Sequence, residues 1–206
     1  MLCLLWPFYF ADARPWDTTM SFLVIGVLLF AGVHLTSSGA PRVRAAWLKA
    51  LGELGYKGSF SLLILLSIAL IVYGWRSAEP FVVYMPILNL RQPGIALMMF
   101  AVGLLVVSSR NSRIRQGVRH PQLIAVLIWA LTHLAMNGDS RSVVLFSTMA
   151  IWSFVEILII NKREGDWVKA DIPSVGSEVV TAIITVILIT ALLYTHIYYA
   201  GIQVLY

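Results

Sequence analysis

The sequence is short of cysteine and of charge. Cys3 is the only cysteine, which excludes an internal disulfide and a cluster of thiolate metal ligands. Charged residues make up 12% of the chain, whereas soluble domains carry about 25%. The mean hydropathy is +0.84, and 59% of the residues are hydrophobic. Together these values exclude an ordinary soluble domain and indicate a polytopic membrane protein.

Several motifs that would identify a common chemistry are also missing. We find no glycine-rich phosphate-binding loop, no zinc-ligand spacing and no nucleophile elbow. The formal net charge of +5 is of a sign that suits nucleic acid, but the charges fall between apolar runs, as they do in membrane proteins. We therefore expect membrane lipid, and not nucleic acid, as the partner of the basic residues.

Six apolar segments are long enough to span a membrane. They predict an all-α fold, a polytopic membrane helix bundle with six transmembrane helices. Several of the segments are only 16–18 residues long, which is short against the ~20 residues that a bilayer usually requires. The predicted spans are Met20–Ser38, Gly58–Trp75, Gly94–Ser109, Pro121–Asn137, Val143–Ile160 and Val179–Tyr199.

The first nineteen residues stand apart from these spans. Their sequence, "MLCLLWPFYFADARPWDTT", has a short apolar core but lacks the basic start of a signal peptide. We predict that residues 1–19 are an N-terminal extension or an interfacial segment anchored by Trp6 and Trp16, and that residues 20–206 are the membrane domain.

Lysine and arginine are unevenly divided between alternate loops. Eleven lie in the first, third and fifth loops between spans: Arg42, Arg44, Lys49, Lys57, Arg110, Arg113, Arg115, Arg119, Lys162, Arg163 and Lys169. The opposite side has four: Arg14, Arg76, Arg91 and Arg141. The positive-inside rule then predicts a multi-pass protein of the bacterial inner membrane, with the odd loops cytoplasmic and both termini periplasmic.

Two histidines lie within predicted spans. His34 is in the first span and His133 in the fourth. An ionisable side chain at such a position is costly, so its default interpretation is functional. The alternative is a neutral histidine that hydrogen-bonds a neighbouring helix. Neutral imidazole is a usual ligand of haem iron, and two imidazoles can bind axially. We therefore predict that His34 and His133 are the metal ligands of one haem.

Other polar residues near the spans have weaker interpretations. Arg119 and His120 end the basic run that precedes the fourth span, and we predict that they bind the haem propionates. The alternative is that the arginines only set topology and contact anionic lipid, with His120 as a helix cap. Glu156 is the only acid well inside a span; we expect it to pair with Arg163, with a proton path as the alternative.

A set of motifs, in order along the chain, resembles the NnrU family of membrane proteins. The motifs are "GVLLFAGVHL", "LGELGYKGSFSLLILLS", "IVYGW", "RHPQ", "WALTHLAMNGD" and "LFSTMAIW". The resemblance runs from about Phe22 to Arg163. The family is named for a link to nitrite and nitric oxide reductase expression in denitrifiers.

The chain is also similar to 15-cis-ζ-carotene isomerase, a haem b protein. The axial histidines of that enzyme match His34 in "GVHLTSSG" and His133 in "LTHLAMNG", and its "RHPQ" matches Arg119–Gln122. This resemblance implies haem b as cofactor and cis–trans isomerisation of a hydrophobic polyene as the candidate reaction. The isomerase has a cysteine where this chain has Ala130, so a thiolate mechanism is not carried over, and no catalytic residue is assigned.

Two other functions are compatible with the same sequence. The protein is alternatively a non-catalytic accessory or haem-sensing subunit of a larger respiratory, denitrification or photosynthetic membrane complex. A third interpretation is a membrane methyltransferase, because "RHP" before an apolar helix also occurs in isoprenylcysteine-type methyltransferases. An absorbance spectrum separates the first two functions from the third, since only a haem protein shows a Soret band.

The charge distribution gives a direct test of the topology. A reporter that is active only in the periplasm, fused after Tyr206, should be active, because the eleven-to-four division of lysine and arginine places both termini there. Activity of the matching cytoplasm-specific reporter at the same position would contradict the predicted orientation.

Overall fold

The computed structural model describes residues 18–87, 89–169, 171–201 and 203–204. Within these ranges the chain forms six α-helices and one short 3-10 helix, Arg113–Gln116. The predicted fold class is confirmed: the protein is an all-α, polytopic membrane protein. The predicted N-terminal extension, residues 1–19, lies almost entirely outside the described residues, since α1 begins at Thr18. The helices are α1 (Thr18–Gly39), α2 (Pro41–Ser77), α3 (Arg91–Ser108), α4 (Pro121–Met136), α5 (Ser140–Glu164) and α6 (Val175–Ala200).

Each predicted span falls within one of the six helices to within a residue. Five of the helices are long and apolar enough to cross a membrane. The exception is α4, which has 16 residues and therefore a length of about 24 Å, against ~30 Å for the hydrocarbon core of a bilayer. The segment predicted as the fourth span is thus a short apolar helix in the structure, and it is not one of the five helices long enough to cross a membrane.

The largest departure from the predicted elements is at the start of α2. The sequence predicted a loop before Gly58, but α2 begins at Pro41, with proline in the first turn where its missing N–H is tolerated. A hydropathy criterion misses this part because it is amphipathic and rich in cations. Gly52 interrupts the helix with φ 68° and ψ 176°, a conformation that is essentially restricted to glycine. It separates residues 41–51 from residues 53–77.

The described chain divides into two compact units. The first comprises residues up to 86 together with 137–148, and the second comprises 87–136 and 149–206. In the first unit, α1 packs closely on α2. Leu23 is fully buried in a cluster with Met20, Val27 and Ala78. Gly74 allows this approach, since a Cβ there would lie 2.8 Å from the Cα of Leu23 and closer still to its backbone nitrogen.

The end of α2 is held by the residues that begin α5. The guanidinium of Arg141 donates to the carbonyl of Trp75 at 2.9 Å and lies 5.1 Å from the centre of its ring. Asp139 accepts hydrogen bonds from the backbone of Arg141 and of Ser142, which caps the helix.

The loop before α3 also contacts this region. The hydroxyl of Tyr84 donates to the Asn137 carbonyl at 3.0 Å. Burial and the nearby Asp139 raise the pKa of Tyr84.

The second unit is built on contacts of α3 with α4 and α6. Ala101, Leu104 and Ala125 form a buried cluster between α3 and α4. Beyond the end of α3, Glu178 accepts a hydrogen bond from the Ser112 hydroxyl at 3.1 Å and another from the backbone N–H of Arg113. These bonds fix the start of α6 to the segment that follows α3.

The packing at Gly74 predicts a large effect of one methyl group. Gly74→Ala should lower the free energy of unfolding by about 1–3 kcal/mol, because the methyl overlaps backbone atoms that a side-chain rotation cannot move. The measurement is unfolding of the purified protein by a denaturing detergent, followed by circular dichroism. Gly32→Ala is the control, since a Cβ at Gly32 meets no atom within 4 Å. Equal stability of the two variants would contradict the packing described here.

Candidate functional site

His34 is held by the helix that carries it. Its Nδ1 lies 2.9 Å from the carbonyl oxygen of Phe30, four residues earlier on α1. Its ring, which is half-buried, packs against the rings of Phe30 and Phe60, with centroids 4.3 and 5.4 Å away. Because a carbonyl oxygen only accepts, Nδ1 carries the proton and donates a hydrogen bond to the Phe30 carbonyl. The lone pair of the neutral imidazole is then on Nε2, the nitrogen that would bind a metal.

His133 repeats this arrangement on α4. Its Nδ1 lies 2.8 Å from the carbonyl oxygen of Trp129, again four residues earlier, and the Trp129 ring is 5.5 Å from the imidazole. The adjacent Thr132 is buried, and Ala130 is fully buried. Nδ1 therefore acts as the donor here too, and the lone pair is on Nε2.

The two histidines belong to different compact units. His34 is in the first and His133 in the second. The geometry of each imidazole is consequently a property of its own helix. In both cases the backbone selects the tautomer and the orientation of the ring, as a backbone carbonyl commonly does for metal-bound histidines. Within the described residues no three histidine, cysteine or acidic side chains gather into a group, so any metal chemistry here would rely on fewer protein ligands.

Arg119 and His120 connect the start of α4 to the end of α5. Arg119 donates to the carbonyl of Gly165 at 2.8 Å and lies 3.6 Å from the Glu164 carboxylate. His120 Nε2 is 2.8 Å from the amide oxygen of Asn161, so Nε2–H is the donor. The His120 carbonyl accepts from the backbone N–H of Ile124, which makes His120 the helix cap considered as an alternative above. Propionate binding by this pair remains a prediction.

Glu156 does not pair as expected. It is only 7% exposed on α5, and within the described residues its Oε2 accepts no hydrogen bond. The expected partner, Arg163, instead contacts Glu164 at 3.1 Å. The pairing prediction is therefore wrong, because Glu164 is the nearer carboxylate. An uncompensated polar atom at this depth is costly.

His196 lies in the last turns of α6 beside a tyrosine. Its ring is 5.0 Å from that of Tyr199 in an edge-on contact. Neither of the ligand motifs quoted above, "GVHLTSSG" and "LTHLAMNG", includes His196. It is a suitable control for substitutions of His34 and His133.

Comparison with known proteins settles the family. The profile of the family described as NnrU protein matches residues 22–204. The chain belongs to the NnrU family. No curated protein and no solved structure matches it. In this NnrU protein His34 and His133 both lie inside the matched region, which continues beyond Arg163 through α6.

The contacts of Arg119 predict a structural effect that an ordinary surface arginine would not have. Arg119→Gln should destabilise this NnrU protein by about 1 kcal/mol or somewhat more, since it removes a charged donor from a backbone carbonyl. The measurement is thermal unfolding of the detergent-solubilised protein. The matched control is Arg113→Gln in the same basic run, because among the described residues the Arg113 side chain forms no ion pair and it is exposed.

The same two variants also examine the propionate prediction. If Arg119 binds a propionate, Arg119→Gln should change the haem reduction potential, whereas Arg113→Gln should not. Identical melting curves for the two variants would contradict the structural role of Arg119, and identical potentials would contradict its role at a propionate.

Proposed function

We propose that this NnrU protein binds haem b, with Nε2 of His34 and Nε2 of His133 as the axial ligands. The observation that carries the proposal is the shared geometry of the two side chains. Each donates Nδ1–H to the carbonyl four residues earlier, at 2.9 Å for His34 and 2.8 Å for His133. A histidine whose second nitrogen is occupied in this way is oriented for coordination through the first.

The chemistry of the donors and of their surroundings agrees with this cofactor. Both rings are flanked by aromatic side chains, Phe30 and Phe60 at one and Trp129 at the other, which suits a large apolar macrocycle. Neutral imidazole is one of the usual ligands of haem iron.

The propionates of a haem need pairing or water, since a carboxylate is costly to bury alone. In this proposal Arg119 and His120 bind the propionates. Arginine has five N–H donors, and the contacts with Gly165 and Glu164 use only part of that capacity. The same side chain can thus hold α5 and face a carboxylate of the cofactor.

We further propose a hydrophobic polyene as substrate and cis–trans isomerisation of one of its double bonds as the reaction. The support is the similarity of "GVHLTSSG" and "LTHLAMNG" to the ligand motifs of the carotene isomerase. The bound haem would supply an iron whose axial position can be vacated. Residue 130 is a fully buried alanine, so it contributes neither a nucleophile nor a proton, and the reaction assigned to this chain uses no thiolate.

The ligand assignment is tested by substituting each histidine. His34→Ala and His133→Ala should each lose haem or become five-coordinate, because each removes one axial nitrogen, and added imidazole should restore the low-spin spectrum. His196→Ala should retain the wild-type spectrum. The measurement is absorbance of the purified proteins in both oxidation states. Unchanged low-spin spectra in both ligand variants would disprove the assignment, and absence of a Soret band from the wild type would favour the methyltransferase interpretation.

The same proteins test the reaction. In liposomes that contain a 15-cis polyene and a reductant, the wild type should convert the cis isomer and the two ligand variants should not, as measured by chromatography. A wild type that retains its haem but leaves the polyene unchanged would contradict the isomerase proposal and favour the accessory or haem-sensing subunit.

A further inference from the structure

The first part of α2, residues 41–51, is a separate amphipathic helix; we call it the basic segment. Val43, Trp47 and Leu51 are spaced four residues apart and share one face. At 100° per residue, Arg42 and Lys49 lie about 150° from Trp47, the centre of this face, whereas Arg44 lies about 60° from it, at the edge of the face. Val43 and Leu51 are 54% and 52% exposed, so the apolar face of the segment is largely uncovered by the rest of the described chain.

The positive charge of the basic segment is not neutralised within the part of the chain that the structure describes. The segment contains Arg42, Arg44 and Lys49 and no acidic residue. Among the described residues none of the three forms an ion pair with a carboxylate. The nearest acid along the chain, Glu53, is bonded instead to Lys57 at 2.6 Å. The Arg44 guanidinium lies 6.0 Å from the centre of the Tyr56 ring, which leaves its charge unbalanced.

Two features fix the direction of the basic segment. Gly52, with φ 68° and ψ 176°, breaks the helix in a conformation that other residues essentially do not adopt. On the near side of this break, Trp47 packs edge-on against Tyr56 with ring centroids 5.0 Å apart. Tyr56 is in turn hydrogen-bonded to Ser37 of α1, with 2.9 Å between their hydroxyl oxygens. The segment is therefore anchored to the helices from which it departs.

We propose that the basic segment lies in the membrane interface and binds anionic phospholipid headgroups. Val43 and Leu51 enter the acyl boundary, and Arg42, Arg44 and Lys49 contact the phosphates. This is the composition of interfacial helices, whose binding adds buried apolar area to attraction by anionic lipid. A bilayer fits better than an acidic protein or a nucleic acid, because uncovered apolar residues share the segment with the cations, directly beside a helix that can span the membrane. The proposal is independent of haem binding.

The first experiment locates the segment in the bilayer. Single cysteines at Val43, Leu51 or Ala45, in a Cys3→Ser background, are spin-labelled in full-length protein reconstituted into nanodiscs with phosphatidylglycerol. Ala45 is on the side of Arg42 and Lys49. Labels at positions 43 and 51 should be more accessible to oxygen than to a water-soluble nickel complex, and the label at position 45 should show the reverse. Aqueous exposure at all three positions would overturn the proposal, and an acidic protein as the true partner would give that result.

The second experiment tests recognition of anionic lipid. Arg42→Gln, Arg44→Gln and Lys49→Gln are combined, and phosphatidylglycerol binding relative to phosphatidylcholine is measured by native mass spectrometry. If each cation raises the preference for phosphatidylglycerol about fivefold and the three factors multiply, the triple variant should lose up to about a hundredfold of this preference. The control removes three other exposed cations by Lys57→Gln, Lys162→Gln and Lys169→Gln, and should lose less. Equal losses, or labels at positions 43 and 51 equally inserted in pure phosphatidylcholine, would refute recognition of anionic headgroups.

Discussion

Hydrogen bonding of polar side chains to the backbone of their own helix is the interaction on which this structure depends. A lipid environment offers no water to a polar atom, so each must be satisfied within the protein. Hydroxyl groups along the helices do this by donating to the carbonyl four residues earlier, as Thr36, Thr148, Thr181 and Thr185 show. His34 and His133 follow the same rule through Nδ1. They differ from threonine in having a second nitrogen that this bond does not use, and the back-bond therefore orients a metal ligand as well as satisfying a donor.

The arginines illustrate a second use of the backbone. Besides indicating the predicted topology, several of them donate to backbone carbonyls at helix ends. Arg141 donates to the carbonyl of Trp75 within the first unit, and Arg119 donates to the carbonyl of Gly165 within the second. Trp75 lies in the last turn of α2, where carbonyls lack intrahelical partners, and Gly165 directly follows α5. At each place an arginine supplies a donor together with a charge suited to that end of the helix dipole. The cations of the basic segment differ from Arg119 and Arg141, since they have no carboxylate partner among the described residues.

How far the sequence predicted the structure depended on whether a feature is local. The spans were predictable because an apolar run of sufficient length is itself the signal, and His34 and His133 were identified because ionisable residues are rare in such runs. The back-bond to Phe30 or Trp129 follows from helical geometry and could have been predicted as well.

Contacts between elements could not be predicted in the same way. The bond of His120 to Asn161 joins two helices through a choice of partner that sequence spacing does not encode. For the same reason Glu156 was assigned to Arg163 although Glu164 competes for that cation. Residues 41–51 were missed because a hydropathy average responds to total apolar content, whereas an amphipathic helix is defined by its pattern.

We propose that the imidazoles of His34 and His133 ligate one haem in this NnrU protein. Near-infrared magnetic circular dichroism of the oxidised, unsubstituted protein tests this most directly, because the energy of its charge-transfer band identifies the pair of axial ligands. A haem held by His34 and His133 should give the signature of a low-spin iron with two histidine ligands. A histidine–methionine or histidine–hydroxide signature, or a protein that purifies without haem from cells supplied with it, would contradict the claim.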